Sequence, residues 1–308
     1  MTAPSPKTGP TVAAVMTSFN KREDVRKNLA AIRVQTRPFD AVIVVDNHSS
    51  DGSQEMIRSE FPEVQLVVMP HDRYGACETF NIGFATAGTD FIAILDDDIV
   101  MPPDWNEKML RKSESEPPST ALISSQVLEP GTPQWYLEHP DVNRERYMAT
   151  FRGCATLARR SVIEACGWYD PDFFIYGNER DLAARVLNAG YRILQYPGVV
   201  VQHGTPFGMK TGRRSLYYHV RNLWWYLFKH APASQIARFV FLQLAAPFRK
   251  KAVTADAVGT IGLWKTIRET DGGLTTVIKA TLAGLAGLPR CLKKRAPCHA
   301  PDFDLPVK

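Results

Sequence analysis

Three consecutive carboxylates, Asp96, Asp97 and Asp98, end the apolar run Phe91-Ile92-Ala93-Ile94-Leu95. Negative charge of that density at the end of a buried strand is costly without a positive partner. A divalent cation meets the need, because Mg²⁺ takes one or two protein carboxylates and leaves positions free for substrate phosphate oxygens. The competing reading is a solvated acidic turn closed by Pro102 and Pro103. A second stretch with chemical content is Phe173-Phe174-Ile175-Tyr176-Gly177-Asn178-Glu179-Arg180-Asp181-Leu182. Leu182, Val186 and Leu187 mark the buried face of a helix that Gly190 ends, so Asn178 is the expected N-cap and Glu179 and Asp181 fall in the first turn. Acids there stabilise a helix by about 0.3–1 kcal/mol each through its macrodipole. Glu179 nevertheless follows an aromatic loop at the mouth of an α/β sheet, a favoured location for catalytic carboxylates. His203 ends a short apolar strand and completes an oxygen-rich site if it faces the same cleft as the aspartates.

These groups need a scaffold, and the pattern before them supplies one. Residues 11–17 are β-prone, and Val25, Leu29 and Ile32 recur at helical spacing over 22–33, with Asn20 as the expected N-cap. Ala41-Val42-Ile43-Val44-Val45 is an unbroken apolar strand ending in Asp46-Asn47. Helix over 53–60, strand over 64–69, helix over 75–87 and strand over 91–95 follow. Farther on, the pattern predicts a helix over 104–114, strands over 120–127 and 151–158, a helical turn over 161–166, and strands over 192–196 and 199–201. Alternating helices and doubly buried strands predict an α/β fold, a mostly parallel central sheet with helices on both faces. The three aspartates then sit at the carboxyl end of a strand, where open α/β sheets bind ligands. Neither G-x-G-x-x-G nor G-x-x-x-x-G-K-[ST] occurs where it would cradle phosphates, so metal and side chains must neutralise them.

At 308 residues, 44% hydrophobic and 22% charged, the chain can bury a large core. One large domain with an appendage is expected: a disordered lead over 1–10, a catalytic domain over 11–222 and a helical, basic extension over 223–308. A net charge of +5 and a pI near 8.9 do not by themselves indicate nucleic acid as a partner; they suit a diphosphate ligand or an anionic membrane surface. Five cysteines without a C-x-x-C pair form no closed disulfide framework, which predicts a reducing, cytoplasmic setting. The polar, proline-rich start has no export-signal pattern, and no apolar run reaches bilayer-spanning length.

Taken in order, Met16-Thr17-Ser18-Phe19-Asn20, Val44-Val45-Asp46-Asn47 with Ser49-Ser50-Asp51-Gly52, Leu95-Asp96-Asp97-Asp98, Tyr176-Gly177-Asn178-Glu179-Arg180-Asp181-Leu182, and Pro197 to His203 resemble the hallmarks of glycosyltransferase family 2. The resemblance covers about 12–222. It implies a GT-A fold, a nucleotide-diphosphate sugar donor, a divalent metal (Mg²⁺ or Mn²⁺) and inversion at the anomeric carbon. It also implies that Thr17, Phe19, Asp46 and Arg73 hold base and ribose. It further implies that Asp96 and Asp98 are the D-x-D pair that binds metal and donor phosphates, with Asp97 beside the donor; His203 is the candidate third ligand, and Arg221, like Arg213 and Arg214, could add a cation to the diphosphate. The family's acidic pair before the helix stands here as Asn178-Glu179, so Glu179 is the expected base and Asp181 the second acid of an E-x-D pattern. Trp168 either stacks on an acceptor sugar or packs in the core. Rhamnosyl and galactofuranosyl transfer to glycan or lipid-linked acceptors both occur in this family. Two alternatives remain at this point. A nucleotidyltransferase needs a glycine-rich segment after the first strand, and 17–22 has no glycine; a non-catalytic sugar-binding protein would tolerate loss of Glu179, Asp98 or His203.

The region beyond 222 differs in character. Leu223-Trp224-Trp225-Tyr226-Leu227-Phe228 and Phe239-Val240-Phe241-Leu242 are apolar and aromatic, followed by the basic clusters Arg249-Lys250-Lys251 and 290–295. Aromatic amphipathic segments flanked by Lys and Arg suit a helix lying at a membrane interface. The expectation is peripheral attachment to the inner face of the membrane, with 274–288 in the contact; packing onto the catalytic domain is the alternative.

Overall fold

The structure, a computed structural model, describes residues 9–245 and 263–305, apart from the side chains of 242–245. Most of the expected lead and the basic cluster Arg249-Lys250-Lys251 lie outside the described residues. The N-terminal half alternates as expected: β1 (Val12–Ser18), α1 (Arg22–Arg33), β2 (Ala41–Asp46), α2 (Ser53–Glu60), β3 (Gln65–Val68), α3 (Ala76–Thr86) and β4 (Phe91–Leu95). After the aspartates come the two-residue strand β5 (Ile99–Val100), α4 (Trp105–Ser115), β6 (Thr120–Leu128), α5 (Gln134–Leu137), β7 (Arg146–Tyr147), β8 (Ala155–Arg159), α6 (Arg160–Ala165), α7 (Asn178–Asn188) and β9 (Arg192–His203). The C-terminal part is helical: α8 (Arg213–His230), α9 (Ala233–Ala245), α10 (Leu263–Glu269), α11 (Gly273–Ala286) and α12 (Leu288–Lys293).

All these strands form one sheet in the order β3-β2-β1-β4-β8-β6-β9-β5, with β7 also on β9. The first four are parallel, but β8 runs antiparallel to both β4 and β6, so the sheet is mixed rather than mostly parallel across its width. The unbroken apolar character of the strands follows from having a core on each face. Along β1, Ala13 and Val15 join the core beneath α3, α7 and α8, whereas Val12, Ala14 and Met16 join the one beneath α1, α2 and α4. Strand β4, central and buried at every residue, therefore carries its acidic end rigidly to the carboxyl edge of the sheet.

Three local expectations change. Asn20 does not cap α1; it has a positive φ of 53°, and its Oδ1 accepts from Ser50 N across the adjoining loop at 2.8 Å. Asn178 is the first residue of α7 rather than its cap. Gly177 takes the cap position at a φ of 74°, a left-handed conformation that costs glycine little. The two short strands expected over 192–201 are one strand, β9, with a register shift against β6 between Ser125 and Gln126.

The boundary expected between 222 and 223 falls inside α8, a continuous 18-residue helix. Residues on both sides of it fasten α8 to the sheet domain. Asn222 donates to the carbonyls of Phe173, Ile175 and Tyr176, and Lys229 reaches Asp170 and Asp181.

Candidate active site

A cleft of about 540 Å³ opens at the carboxyl edge of the sheet, and Thr17, Lys21, Asp96, Asp97, Asp98, Glu129, Glu179 and His203 all line it. Topology brings His203 to the aspartates. Strand β5, immediately after Asp98, pairs antiparallel with the end of β9, placing Ile99 opposite His203, and Gly204 N donates to Asp98 O at 2.8 Å. His203 Nε2 then lies 3.1 Å from Asp98 Oδ1 and 3.5 Å from Asp96 Oδ2, with one ligand atom from each of the three residues within 4.8 Å of the others. Neighbouring donors around an octahedral cation with ligand distances of roughly 2.1 Å stand about 3 Å apart, so this donor set fits a divalent metal. Two carboxylates and an imidazole suit Mn²⁺ as well as Mg²⁺.

Electrostatics in the cleft are concentrated on these groups. Burial opposes ionisation of Asp98, but hydrogen bonds and positive charge from His203, with Lys21 Nζ at 3.2 Å and Thr205 Oγ1 at 3.0 Å, hold its carboxyl well below the usual range. Burial also opposes charge on His203, and hydrogen bonds to Asp96, Asp98 and Glu129 overcome it and raise its pKa. Asp97 is pushed up to about 7 by burial and by its neighbour Asp96, against the pull of Lys21.

Glu179 reaches the cleft from the first turn of α7. Its space is made by Gly153, where a Cβ would stand 2.5 Å from Glu179 Oε1. Asn178 Nδ2 donates to the same oxygen at 3.1 Å, so the residue in the place of the family's other carboxylate supports the one that remains. Burial, aided by the charge of Asp96 and opposed by local hydrogen bonding, raises the Glu179 carboxyl to about 7. A carboxylate with that pKa is suited to accept a proton near neutral pH.

Other residues singled out from the sequence point elsewhere. Asp181, two residues beyond Glu179, is fully buried on the opposite side of α7, where it meets Arg185 Nη2 at 2.7 Å, His230 Nε2 at 2.9 Å and Lys229 Nζ. It does not line the cleft. Trp168 packs on Phe84 at a ring distance of 5.6 Å, beneath Arg160, outside the cleft. Arg221 donates to the carbonyls of Asp172 and Phe173 and lies over Trp225, holding the loop before α7 rather than entering the cleft. Arg213 pairs with Asp271, and Arg214 lies over Phe174. Asp46 is buried beside the cleft, in register with Ser18; its Oδ1 accepts from Ser49 N and Gln54 Nε2, while Oδ2 is buried without a partner. Phe19 and Arg73 are exposed at the same edge, outside the cleft wall.

The Asp181 cluster yields a stability prediction. Replacing Asp181 by Ala leaves Lys229 and His230 buried without their shared anion, a change that typically costs about 3–5 kcal/mol. The expected result is a much lower midpoint in urea unfolding, and a midpoint equal to that of the wild type would show that the cluster contributes no net stability.

Lys21, Glu129, Thr205 and Gly153 are among the cleft residues that the sequence did not single out. Lys21 adjoins the Ser-Phe-Asn motif, and its position there is the nearest thing to a signal. Glu129, Thr205 and Gly153 lie in loops whose convergence depends on the pairing of β6, β8 and β9.

Comparison with known proteins agrees with this geometry. The chain matches the family described as Glycosyl transferase family 2 over residues 13–174, more than half of its length. EpsH of Bacillus subtilis is 28% identical over 51% of this chain, and the match spans about half, 49%, of that relative. Glycosyltransferase AglE of Haloferax volcanii is 25% identical over 65% of this chain and 69% of its own length. Among solved structures, the mannosyltransferase PcManGT from Pyrobaculum calidifontis in complex with GDP-Man and Mn²⁺ superposes with a TM-score of 0.57 at 19% identity, covering 95% of this chain and 74% of that one. At such identity the likeness concerns the fold, which is GT-A. With its metal-type cluster at the carboxyl edge of that sheet, this chain belongs to glycosyltransferase family 2.

Proposed function

We propose that this protein transfers a sugar from a nucleotide-diphosphate sugar to a hydroxyl group of an acceptor, with inversion at the anomeric carbon. The observation that carries the reading is the meeting of Asp96, Asp98 and His203 with Glu179 in one cleft. In the reaction, the acceptor oxygen forms a bond to the anomeric carbon, the bond from that carbon to the diphosphate breaks, and the acceptor proton passes to Glu179. Asp96, Asp98 and His203 would hold a divalent metal, which when bound would supply Lewis-acid stabilisation of charge on the departing diphosphate. Lys21 stands beside Asp98, where its ammonium can meet a phosphate oxygen. Thr17 lines the cleft, Phe19 and Arg73 are exposed along the same edge and Asp46 is buried behind it, and this is the side proposed to hold the base and ribose. Asp97 faces the donor from the cleft wall. Because Trp168 lies outside the cleft, the half-buried Tyr176, which lines it, is the proposed aromatic contact for an acceptor. The test is release of free nucleoside diphosphate from a panel of nucleotide sugars, with acceptor extracts, with and without Mn²⁺ or Mg²⁺. Release that is equal with and without metal, or absent for every donor, overturns the reading.

A glycan or lipid-linked acceptor approached at a membrane surface is supported by α11. Leu274, Ile278, Leu282 and Leu285 lie on its exposed side at helical spacing, while its other face packs on α8, which lines the cleft. Lys279, on the same helix, and Lys293, on α12, are exposed cations near this stripe, whereas Arg290 is paired with Asp172 at 2.8 Å. Apolar side chains rimmed by cations suit an anionic bilayer on the cytoplasmic side, each cation adding roughly 1 kcal/mol near the surface. No helix among the described residues is long and apolar enough to cross a membrane, so the proposed contact is peripheral. Flotation with vesicles containing anionic phospholipid should recover the full chain at low salt. The paired change Ile278→Ser with Leu282→Ser should lower recovery several-fold. Wild-type protein that stays unbound at low salt removes the membrane from the proposal.

A further inference from the structure

Glu129 is a cleft residue to which the proposed chemistry assigns no task. It follows the end of β6, which pairs in parallel with β9 so that Leu128 stands opposite Gln202, and this brings Glu129 alongside His203. Its Oε1 lies 3.0 Å from His203 Nδ1, and both side chains are largely shielded, at 14% and 10% exposure. The loop is held firmly there. Thr132 Oγ1 accepts from Glu129 N at 3.2 Å and donates to Glu129 O at 2.7 Å, and Phe207 N donates to Pro130 O at 3.0 Å. The two nitrogens of the imidazole point in diverging directions. Glu129 therefore addresses the nitrogen that Asp96 and Asp98 do not, and it does not belong to the three-residue cluster.

We infer that Glu129 is a positioning residue for the metal site: by accepting a hydrogen bond from Nδ1 it fixes the orientation of His203 and keeps a proton on that nitrogen, so that Nε2 is the nitrogen presented to a cation lying between Asp96 and Asp98. An imidazole that ligates a cation through one nitrogen must keep its proton on the other, and a carboxylate at that second nitrogen both enforces this and makes the ligand more basic. Without Glu129 the ring could rotate about its side-chain torsions or take the other tautomer, and either change removes the nitrogen donor. Glu129 itself touches neither donor sugar nor cation in this role. The inference rests on the assignment of Asp96, Asp98 and His203 as metal ligands.

The test uses Mn²⁺ alone with the full-length protein. Bound and free Mn²⁺ are counted by electron paramagnetic resonance, and electron spin echo modulation from ¹⁴N reports imidazole ligation. Wild type is expected to show ¹⁴N modulation that His203→Gln abolishes. Glu129→Leu should weaken Mn²⁺ binding by about 10- to 100-fold, the usual effect of losing an outer-shell partner, and diminish the ¹⁴N signal. Glu129→Gln, whose amide oxygen can still accept from Nδ1, should fall between, which keeps the test decisive if the leucine variant does not fold. A role confined to stability would lower the melting temperature and leave affinity and ¹⁴N modulation unchanged in the folded variants; that result overturns the inference while the metal assignment stands. Wild-type protein that binds no Mn²⁺ overturns both.

Discussion

Glu179→Gln is expected to lower turnover by about 10²- to 10⁴-fold, the range for loss of a positioned general base, with donor affinity nearly unchanged. The amide keeps the size of the side chain and can keep a contact with Asn178, which donates to Glu179 Oε1, but it cannot take the acceptor proton. Steady-state release of nucleoside diphosphate measures the first quantity, and calorimetric titration with the donor measures the second. The same residue sets the direction of the pH dependence. Its carboxyl is raised to about 7, chiefly by burial, and only the ionised form can act as base. Activity should therefore rise roughly tenfold per pH unit below 7 and level off above it. A profile that is flat from pH 5 to 8, or a glutamine variant within a few-fold of wild type, assigns proton removal to another group. Asp181 is not the natural substitute, since it is enclosed by Arg185, Lys229 and His230.

Asp98→Ala is expected to abolish metal-dependent donor binding. Asp98 is the hub of the cluster: one oxygen faces His203 Nε2 while the other accepts from Lys21 and Thr205. Removing it deletes a ligand and at the same time leaves Lys21 and His203 facing each other with less anionic charge between them, which further disfavours a dication. Calorimetry with a nucleoside diphosphate, with and without Mn²⁺, should show metal-enhanced binding for wild type and none for the variant. Equal enhancement in both proteins would falsify the assignment of Asp98 as a ligand. Asp96→Ala tests the other half of the pair, and its expected loss is of the same kind, because Asp96 Oδ2 stands 3.5 Å from the same nitrogen.

Much of the scaffold was legible along the chain because its signals are local. Val25, Leu29 and Ile32 recur with the helical period, and α1 spans the expected Arg22–Arg33. Phe91–Leu95 is apolar at every position because β4 is covered on both faces, and three carboxylates at its end could lie only where water or a cation meets them. The ordered motifs from Thr17 to His203 were sufficient to name the family, since each is a short run whose chemistry survives without knowledge of its neighbours. Glu179 was legible as a catalytic candidate for the same reason.

What the chain alone left open depends on pairings between distant residues. His203 follows an apolar strand like many structural histidines; only the antiparallel pairing of β5 with β9 sets its Nε2 against Asp98. The insertion of β8 between β4 and β6, antiparallel to both, makes the sheet mixed, and no periodicity distinguishes an antiparallel strand buried on both faces from a parallel one. Glu179 and Asp181 are two positions apart on a helix, about 200° of rotation, so the packing that turns Glu179 into the cleft necessarily turns Asp181 into the buried cluster with α8. Arg221 was a candidate cation for the diphosphate and Trp168 was open between an acceptor sugar and the core; packing sets Arg221 on the loop before α7 and Trp168 against Phe84. Residue type and local spacing thus determined the fold class, the family and the groups able to do chemistry. Which of those groups share a cleft was decided by strand order and helix rotation, because both are set by contacts between residues far apart in the chain.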